Sequence, residues 1–407
     1  MKLIVQKFGG SSVASAQKML NVAQRISSIR KRGTNIVVVV SAPGNMTDEL
    51  ITKAYEIADS PDDRELDVLL ATGEQQAIAL LSIALKSLGC EAISFTGPQV
   101  GIVTNGNHTK ARIVRVGAKK IKSVLNQGKV VIVAGFQGVN KKQEITTLGR
   151  GGSDLTAVAL AAALKADICE FYKDVDGVFT ANPAIVKNAK KLSVISYDEM
   201  LEMASAGAQV LNARSVEFAK NYGIRMHVRP TFNNSEGTIV MAETTAMEKT
   251  VISGVTYNKD EAKITVRAVP DRPGIAALLF SKLGQADINV DMIIQNIGAE
   301  GKSDISFTLE RENLKKGLLV VKKTARQLKA KEVLADENIA KVSVIGVGMR
   351  SHSGVAAKMF MALSKMKINI QMISTSEIKI SVVVDRKDVD KAVNAIHQEF
   401  KLGRVTT

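Results

Sequence analysis

From residue 1 to residue 240, short apolar runs alternate with longer stretches in which apolar positions recur at helical spacing. Ile36–Val40 and Val130–Ala134 are unbroken apolar runs of strand length, far short of the ~20 residues a membrane-crossing helix needs. The pattern predicts strands over Leu3–Lys7, Ile36–Ser41, Ala92–Thr96, Val130–Ala134, Ile168–Lys173 and Arg225–Arg229. It predicts helices near Ala14–Lys31 and Thr47–Ala58, a long one after Gly73, and others over Asp154–Ala166, Tyr197–Ala206 and Asn212–Asn221. Strands separated by helices imply an α/β fold: a mainly parallel sheet covered by helices on both faces. Ligands then sit beyond the carboxyl ends of the strands, where Gly-rich or loop segments follow Lys7, Ser41, Ala134 and Lys173.

From about Met241 the texture changes and an internal repeat emerges. Shifting the chain by 80 residues superposes Gly274, Ala276, Ala277, Phe280, Leu283, Ile288, Asn289, Met292 and Ile293 on identical residues, Gly354 to Ile373. Each copy reads strand, Gly turn, amphipathic helix, Ile-Asn turn, strand. The C-terminal part is therefore a pair of small α+β modules.

With 407 residues, two or three domains are expected, and 45% apolar with 23% charged residues is a globular composition. Cys90 and Cys169 lie far apart and suit a reducing compartment; with four scattered histidines they make a zinc site improbable. No charged segment followed by a cleavable apolar stretch opens the chain, so a cytoplasmic protein is expected, with no membrane partner. The net charge of +15 fits nucleic-acid binding, anionic ligands or a basic proteome background. Aromatics suited to base stacking make up 4% of residues, which argues against nucleic acid.

Two segments carry candidate chemistry. In Lys7-Phe8-Gly9-Gly10-Ser11-Ser12-Val13, the glycines let the backbone approach a ligand and the following helix start presents amides. That helix end adds roughly +0.5 of an elementary charge, and Lys7 adds a full cation; a plain turn with a solvated lysine is the competing reading. In Thr146–Asp154, three glycines, Ser153 and Asp154 at a helix start form a second anion nest. Arg150 offers a forked carboxylate clamp, and Asp154 is either an N-cap or an acidic group of the site. No P-loop pattern is present, and Gly346-Val347-Gly348 lacks the third glycine of a dinucleotide fingerprint.

Taken together, these segments closely resemble the aspartokinases of the amino-acid kinase superfamily. The family's blocks follow in order: Val38–Ala42, Ala71–Glu74, Ser94–Gly97, Gly135–Gly138, Gly149–Asp154 and Lys173–Thr180, and the repeats resemble paired ACT domains. The resemblance implies transfer of the γ-phosphate of ATP to the side-chain carboxylate of aspartate, with Mg²⁺, and feedback control by lysine or threonine. It implies a catalytic domain over 1–240, a linker over 241–250, a first ACT module over 264–337, and a second built from 251–263 and 338–405. Lys7 would lie against the transferring phosphate with Asp154 as its acidic partner, and Gly9 and Gly10 would supply amides. Tyr172, Lys173, Asp174, Phe179 and Thr180 would line the nucleotide pocket. Ser41, Thr47, Glu74, Arg150, Gly151, Gly152 and Ser153 would hold aspartate. Asp271, Gly274, Ile275, Asn289 and Gln295 would bind the effector, while Ser351–Gly354 lacks the first copy's proline. A homo-oligomer paired through ACT modules is expected, and an internal start near Met241 or Met247 would yield a shorter regulatory subunit, as in some relatives.

The chain departs from the family where Ala184 and Gln209 replace cations expected near the nucleotide phosphates. Lys187 or Arg214 is then left to compensate, or nucleotide affinity falls. A catalytically weak amino-acid sensor, a glutamate 5-kinase or uridylate kinase, and a nucleic-acid binder are the alternatives to an active aspartokinase.

Overall fold

The computed structural model describes residues 2–245, 247, 250–298 and 301–403; the linker positions 246, 248 and 249 of the expected 241–250 segment lie outside them. The chain divides into two units: the first holds residues up to 179, 191–205 and 209–247, and the second holds 180–190, 206–208 and the C-terminal part.

In the first unit the elements run β1 (Leu3–Phe8), α1 (Ala16–Lys31), β2 (Asn35–Val40), α2 (Met46–Ile57), α3 (Asp63–Ser87), β3 (Ala92–Phe95), β4 (Val103–Thr104), β5 (Ile113–Arg115), α4 (Lys119–Asn126) and β6 (Val130–Ala134). They continue as β7 (Gln137–Val139), β8 (Ile145–Thr147), α5 (Gly152–Leu164), β9 (Ile168–Lys173), β10 (Val194–Ser196), α6 (Tyr197–Ser205), α7 (Ala213–Tyr222), β11 (Met226–Pro230) and β12 (Thr238–Met241). Eight strands form one sheet in the order β10-β12-β11-β9-β1-β2-β6-β3. Pairing is parallel except between β11 and β12. Central strands buried on both faces explain the unbroken apolar runs of β2 and β6.

Side chains alternate across the sheet. Ile4, Phe8, Ile36, Val38, Val40 and Tyr172 join a core with Val22 and Ile26 of α1 and Ala77, Leu81 and Leu85 of α3. The α3 helix is long and apolar enough, by length and composition, to cross a bilayer, yet Ala77, Ile78, Leu81, Ala84 and Leu85 on one side of it lie in this core. Lys7, paired with Val39 and Phe171 in the ladder, faces the other way.

The expected helix after Gly73 begins ten residues earlier, at Asp63, whose N-cap Asp62 accepts from the N–H groups of Arg64 and Glu65. Gly73 lies mid-helix because a Cβ there would stand 2.7 Å from that of Ala42. A small second sheet, β5-β4-β7-β8, was not foreseen. Its strands are two or three residues long, too short to leave a period in the sequence.

The second unit contains β13 (Gly254–Asn258), β14 (Glu261–Pro270), α8 (Ile275–Gln285), β15 (Ile293–Ile297), β16 (Lys302–Glu310), α9 (Leu314–Gln327), β17 (Glu332–Asp336), β18 (Ile339–Ile345), α10 (Val355–Lys365), β19 (Met372–Thr375), β20 (Lys379–Asp385) and α11 (Val389–Glu399). Two four-stranded antiparallel sheets result, β15-β16-β14-β17 and β19-β20-β18-β13. The repeat maps β14 on β18, so β13, which precedes the first copy, takes in the second sheet the place that β17 takes in the first. Gly274 and Gly354 precede α8 and α10 with φ of +94° and +86°, a conformation that costs other residues a steric penalty. That explains their conservation between the two copies. Between the sheets Lys341 is buried, 2.8 Å from Glu261 and also paired with Asp291.

Candidate active site

The carboxyl ends of β1, β2, β6 and β9 carry Lys7, Ser41, Gly135 and Lys173, and the start of α5 faces them. Lys7 Nζ lies 2.6 Å from Asp154 Oδ1, and Lys173 Nζ lies 3.0 Å from Oδ2. Lys7 and Asp154 are 5% and 4% exposed, so this is a buried ammonium–carboxylate–ammonium cluster. Burial opposes the Asp154 charge, but Lys173 and Lys7 outweigh it and hold the carboxyl at about 2. Burial lowers the Lys7 pKa, opposed by Asp154. The cluster carries one net positive charge in a dry site, which is what an anion with several charged oxygens requires.

Sheet geometry explains the membership of Lys173. Phe171 pairs with Lys7 and shares its face; Lys173, two residues on, returns to that face. Tyr172 points to the opposite side. Its ring stacks on Phe8 at 4.6 Å, and its hydroxyl donates to Glu170 at 3.0 Å. The Tyr172 side chain therefore faces away from Lys7, while its backbone oxygen accepts from the Gly9 N–H at 3.3 Å. That bond also takes up the amide expected to be free for phosphate.

Gly10 has a steric reason to lack a side chain: a Cβ would come within 2.7 Å of the Ala42 carbonyl oxygen. Ser12 Oγ meets Thr231 Oγ1 at 2.6 Å, and Thr231 Oγ1 donates to the Lys173 carbonyl at 3.0 Å. These bonds fasten the glycine turn to the end of β9.

Glu74 projects from α3 to the same region. The Ala42 N–H donates to its Oε1 at 3.1 Å, and Oε2 is buried without a hydrogen-bond partner. Burial pushes its pKa up to about 7, despite the Ala42 amide and the field of Lys7. An unpartnered buried carboxylate oxygen is costly unless a ligand completes it, and an ammonium group would. Ser41 and Thr47 are half-buried nearby in sequence, after β2 and in α2.

The second nest starts at Gly149 and Gly151, both at φ +74°. Arg150 between them is exposed, whereas Gly152 and Ser153 are buried as α5 begins. Gly135 lets β6 approach this helix start, since a Cβ would lie 2.6 Å from that of Ser153. Arg214, suggested above as a substitute cation for the nucleotide, is taken up elsewhere. It donates to the Leu148 carbonyl at 2.8 Å and the Ala111 carbonyl at 3.3 Å.

Asp174 is exposed, and Phe179 is half-buried and bridged to Lys191. Thr180 falls in the second unit, where Oγ1 meets His397 Nε2 at 3.0 Å and accepts from the Lys190 N–H at 2.9 Å. Its hydroxyl is thus committed within that unit. Lys187 is exposed in the same unit.

One functional network left no sequence signal. Asp67 of α3, fully buried, accepts from His108 Nδ1 at 2.7 Å and the Thr109 N–H at 3.1 Å, and also bonds Thr147 Oγ1. It pins both segments flanking the Arg150 loop, but its partners stand 41 to 80 residues away.

In the second unit Asp271 and Gly274 are exposed ahead of α8, and the Asp271 N–H donates to Gly301 at 2.8 Å. Ile275 is buried, while Asn289 and Gln295 are exposed, the latter on β15.

A mainly parallel sheet with buried charged groups at its strand ends, followed by paired α+β modules, is the architecture of an amino acid kinase carrying ACT domains. Residues 2–230 match the model of the amino acid kinase family, and residues 263–324 and 342–400 match the ACT domain; the chain belongs to that kinase family. It is 51% identical over 403 residues to aspartate kinase of Pseudomonas putida, covering 99% of this chain and 98% of that one. It is 48% identical to aspartokinase of Corynebacterium glutamicum, covering 99% and 97%. The structure of E. coli aspartokinase III in complex with aspartate and ADP superposes with a TM-score of 0.83 at 25% identity, over 98% of this chain and 99% of that one. The same enzyme in complex with lysine and aspartate gives 0.77 at 25% identity, over 98% and 100%. The chain is an aspartate kinase, an enzyme with a nucleotide substrate.

Proposed function

We propose that the enzyme transfers the γ-phosphate of ATP to the β-carboxylate of L-aspartate, giving 4-phospho-L-aspartate at the head of lysine, threonine and methionine biosynthesis in the cytoplasm. The observation that carries this reading is the buried Lys7–Asp154–Lys173 cluster beside the orphaned oxygen of Glu74. A carboxylate nucleophile is already ionised at neutral pH, so no general base is needed. What remains is in-line positioning and neutralisation of charge on the phosphoryl oxygens.

Lys7 meets the transferring phosphoryl group, with Gly10 allowing close approach. Lys173 and Asp174, with Gly9, Phe179 and the backbone at Tyr172, border the nucleotide. Arg150 grips the aspartate α-carboxylate, and Glu74 receives its ammonium, with Ser41, Thr47 and the Gly151–Ser153 backbone alongside. Asp154 is paired with two ammonium groups, and among the described residues no group of three His, Cys, Asp or Glu side chains is placed to hold an ion. Bound with ATP, Mg²⁺ would offset phosphoryl charge beside Lys7. The intact cluster speaks for turnover rather than for a sensor without catalysis.

The deciding experiment is a coupled assay of aspartate-dependent ADP formation, with lysine and threonine titrated singly and together. No aspartate-dependent turnover would overturn the reading. A pH dependence follows from Glu74, whose carboxyl titrates near 7 in the free site. Below that pH it is protonated and cannot pair with an ammonium, so KM for aspartate should fall as pH rises from about 6 to 8. Glu74→Gln should raise KM and flatten this dependence; a variant retaining the wild-type profile would remove Glu74 from substrate binding.

Effector binding at Asp271, Gly274, Ile275, Asn289 and Gln295 supplies the feedback control. Edge strands β15 and β19, with Ile293, Ile297 and Ile373 exposed, are suited to pairing with a second copy. Asp271→Ala should relieve inhibition by lysine or threonine and leave uninhibited turnover near the wild-type rate. Unchanged inhibition constants would move the effector site elsewhere.

A further inference from the structure

The substrate loop has no secondary structure of its own between β8 and α5, and Arg150 at its tip is exposed. A clamp that must meet a carboxylate in a forked geometry loses its value if its backbone drifts. Something has to hold the loop: Asp67 pins its flanks, and the bonds that reach its backbone from outside come from the start of α7.

Arg214 bridges two segments at the loop's base, donating Nη1 to the Leu148 carbonyl at 2.8 Å and Nη2 to the Ala111 carbonyl at 3.3 Å. The base is closed further by the Ala111 N–H on Thr147 and the Leu148 N–H on Phe136, both at 2.9 Å. Asn212 reaches the tip itself, with Nδ2 donating to the Arg150 carbonyl at 3.2 Å. Its other amide atom, Oδ1, accepts from the Arg214 N–H at 3.0 Å and caps α7. Gly151 completes the fit: a Cβ there would lie 2.4 Å from the Asn212 side chain.

We propose that Asn212 and Arg214 are positioning residues for aspartate recognition: α7 is the mount that fixes the Leu148–Gly151 backbone and thereby aims Arg150 at the substrate. This rests on the reading of Arg150 as the α-carboxylate clamp. It also gives Arg214 a role on the aspartate side of the site in place of a missing nucleotide cation.

The two duties of Asn212 can be separated. Serine caps a helix about as well as asparagine, but is too short to reach the Arg150 carbonyl. Asn212→Ser should therefore keep the wild-type melting temperature within about 2 °C, while raising KM for aspartate about fivefold to tenfold, the loss of one fixed hydrogen bond. KM for ATP should stay within about twofold. Arg214→Lys, which keeps the charge but not the fork, should shift KM in the same direction. Arg150→Ala serves as the reference for losing the clamp outright.

If Arg150→Ala raises KM for aspartate but Asn212→Ser and Arg214→Lys do not, the positioning role is wrong and the clamp stands. If Arg150→Ala itself leaves that KM unchanged, the clamp assignment fails and the inference with it. Equal rises in KM for ATP and aspartate would mark a general loosening of the unit and also overturn the proposal. Should Arg214→Lys fail to fold, the Asn212→Ser result decides alone.

Discussion

Lys7→Ala should lower kcat by about 10²–10³-fold or more, the range found when a donor aimed at developing charge is removed. Its ammonium sits at the end of β1 in a buried pocket, where a cation is worth far more than at a wet surface. The substitution should spare the fold, because Asp154 keeps Lys173 as a partner at 3.0 Å and remains ionised. Aspartate binding, assigned to Glu74 and Arg150, should change little, so the defect should fall on kcat rather than on KM for aspartate. Single-turnover measurements with aspartate and ATP would separate binding from transfer. Near-normal turnover would refute the role given to Lys7.

The sequence placed Lys7 and the Arg150–Asp154 nest at one end of one sheet, and the Lys7 and Asp154 side chains meet there. That much was legible because strand and helix periods fix where turns lie, and turns at strand ends fix the site. The repeat was legible because nine identities at constant spacing, Gly274/Gly354 among them, report one backbone written twice. What escaped depends on facing and on long-range contact. Tyr172 belongs to the Lys173–Thr180 neighbourhood in sequence but to the Phe8 side of the sheet in space, and the alternation that decides this needed the β1–β9 register. The helix was expected to follow Gly73, which instead lies inside it as a contact residue, since nothing local announces Ala42 beside it. Asp67 carried no local signal, and Arg214 was assigned to the nucleotide side; their partners come from segments 41 to 103 residues away. Thr180 lies seven residues past Lys173, the end of β9, and its neighbours are those of the second unit.

Asp154→Asn should damage both stability and catalysis, and the two effects can be told apart by pH. Asparagine fits the space but carries no charge, so Lys7 and Lys173 are left facing each other in a buried site. Removing one partner of a buried ion pair typically costs about 3–5 kcal/mol, which for a unit of this size is a fall in melting temperature of roughly 10 °C. In the wild type the Asp154 carboxyl is depressed from its ordinary 3.8 to about 2. Its contribution is complete above the unfolded value and is lost as pH falls through about 2, so it is constant across the working range. In the variant the sign comes from lysine instead. Burial already lowers the Lys7 pKa and Lys173 lowers it further; without Asp154 nothing comparable opposes them. The native state then binds fewer protons than the unfolded chain, so the variant should gain stability as pH rises. Catalysis should move the other way, because a neutral Lys7 cannot offset phosphoryl charge: kcat should recover on acidification and collapse toward alkaline pH. Melting temperatures and kcat measured across pH 6–9 would therefore diverge in opposite directions. Parallel profiles would mean that Asp154 acts only as a helix-start residue and that Lys7 does not depend on it for its charge.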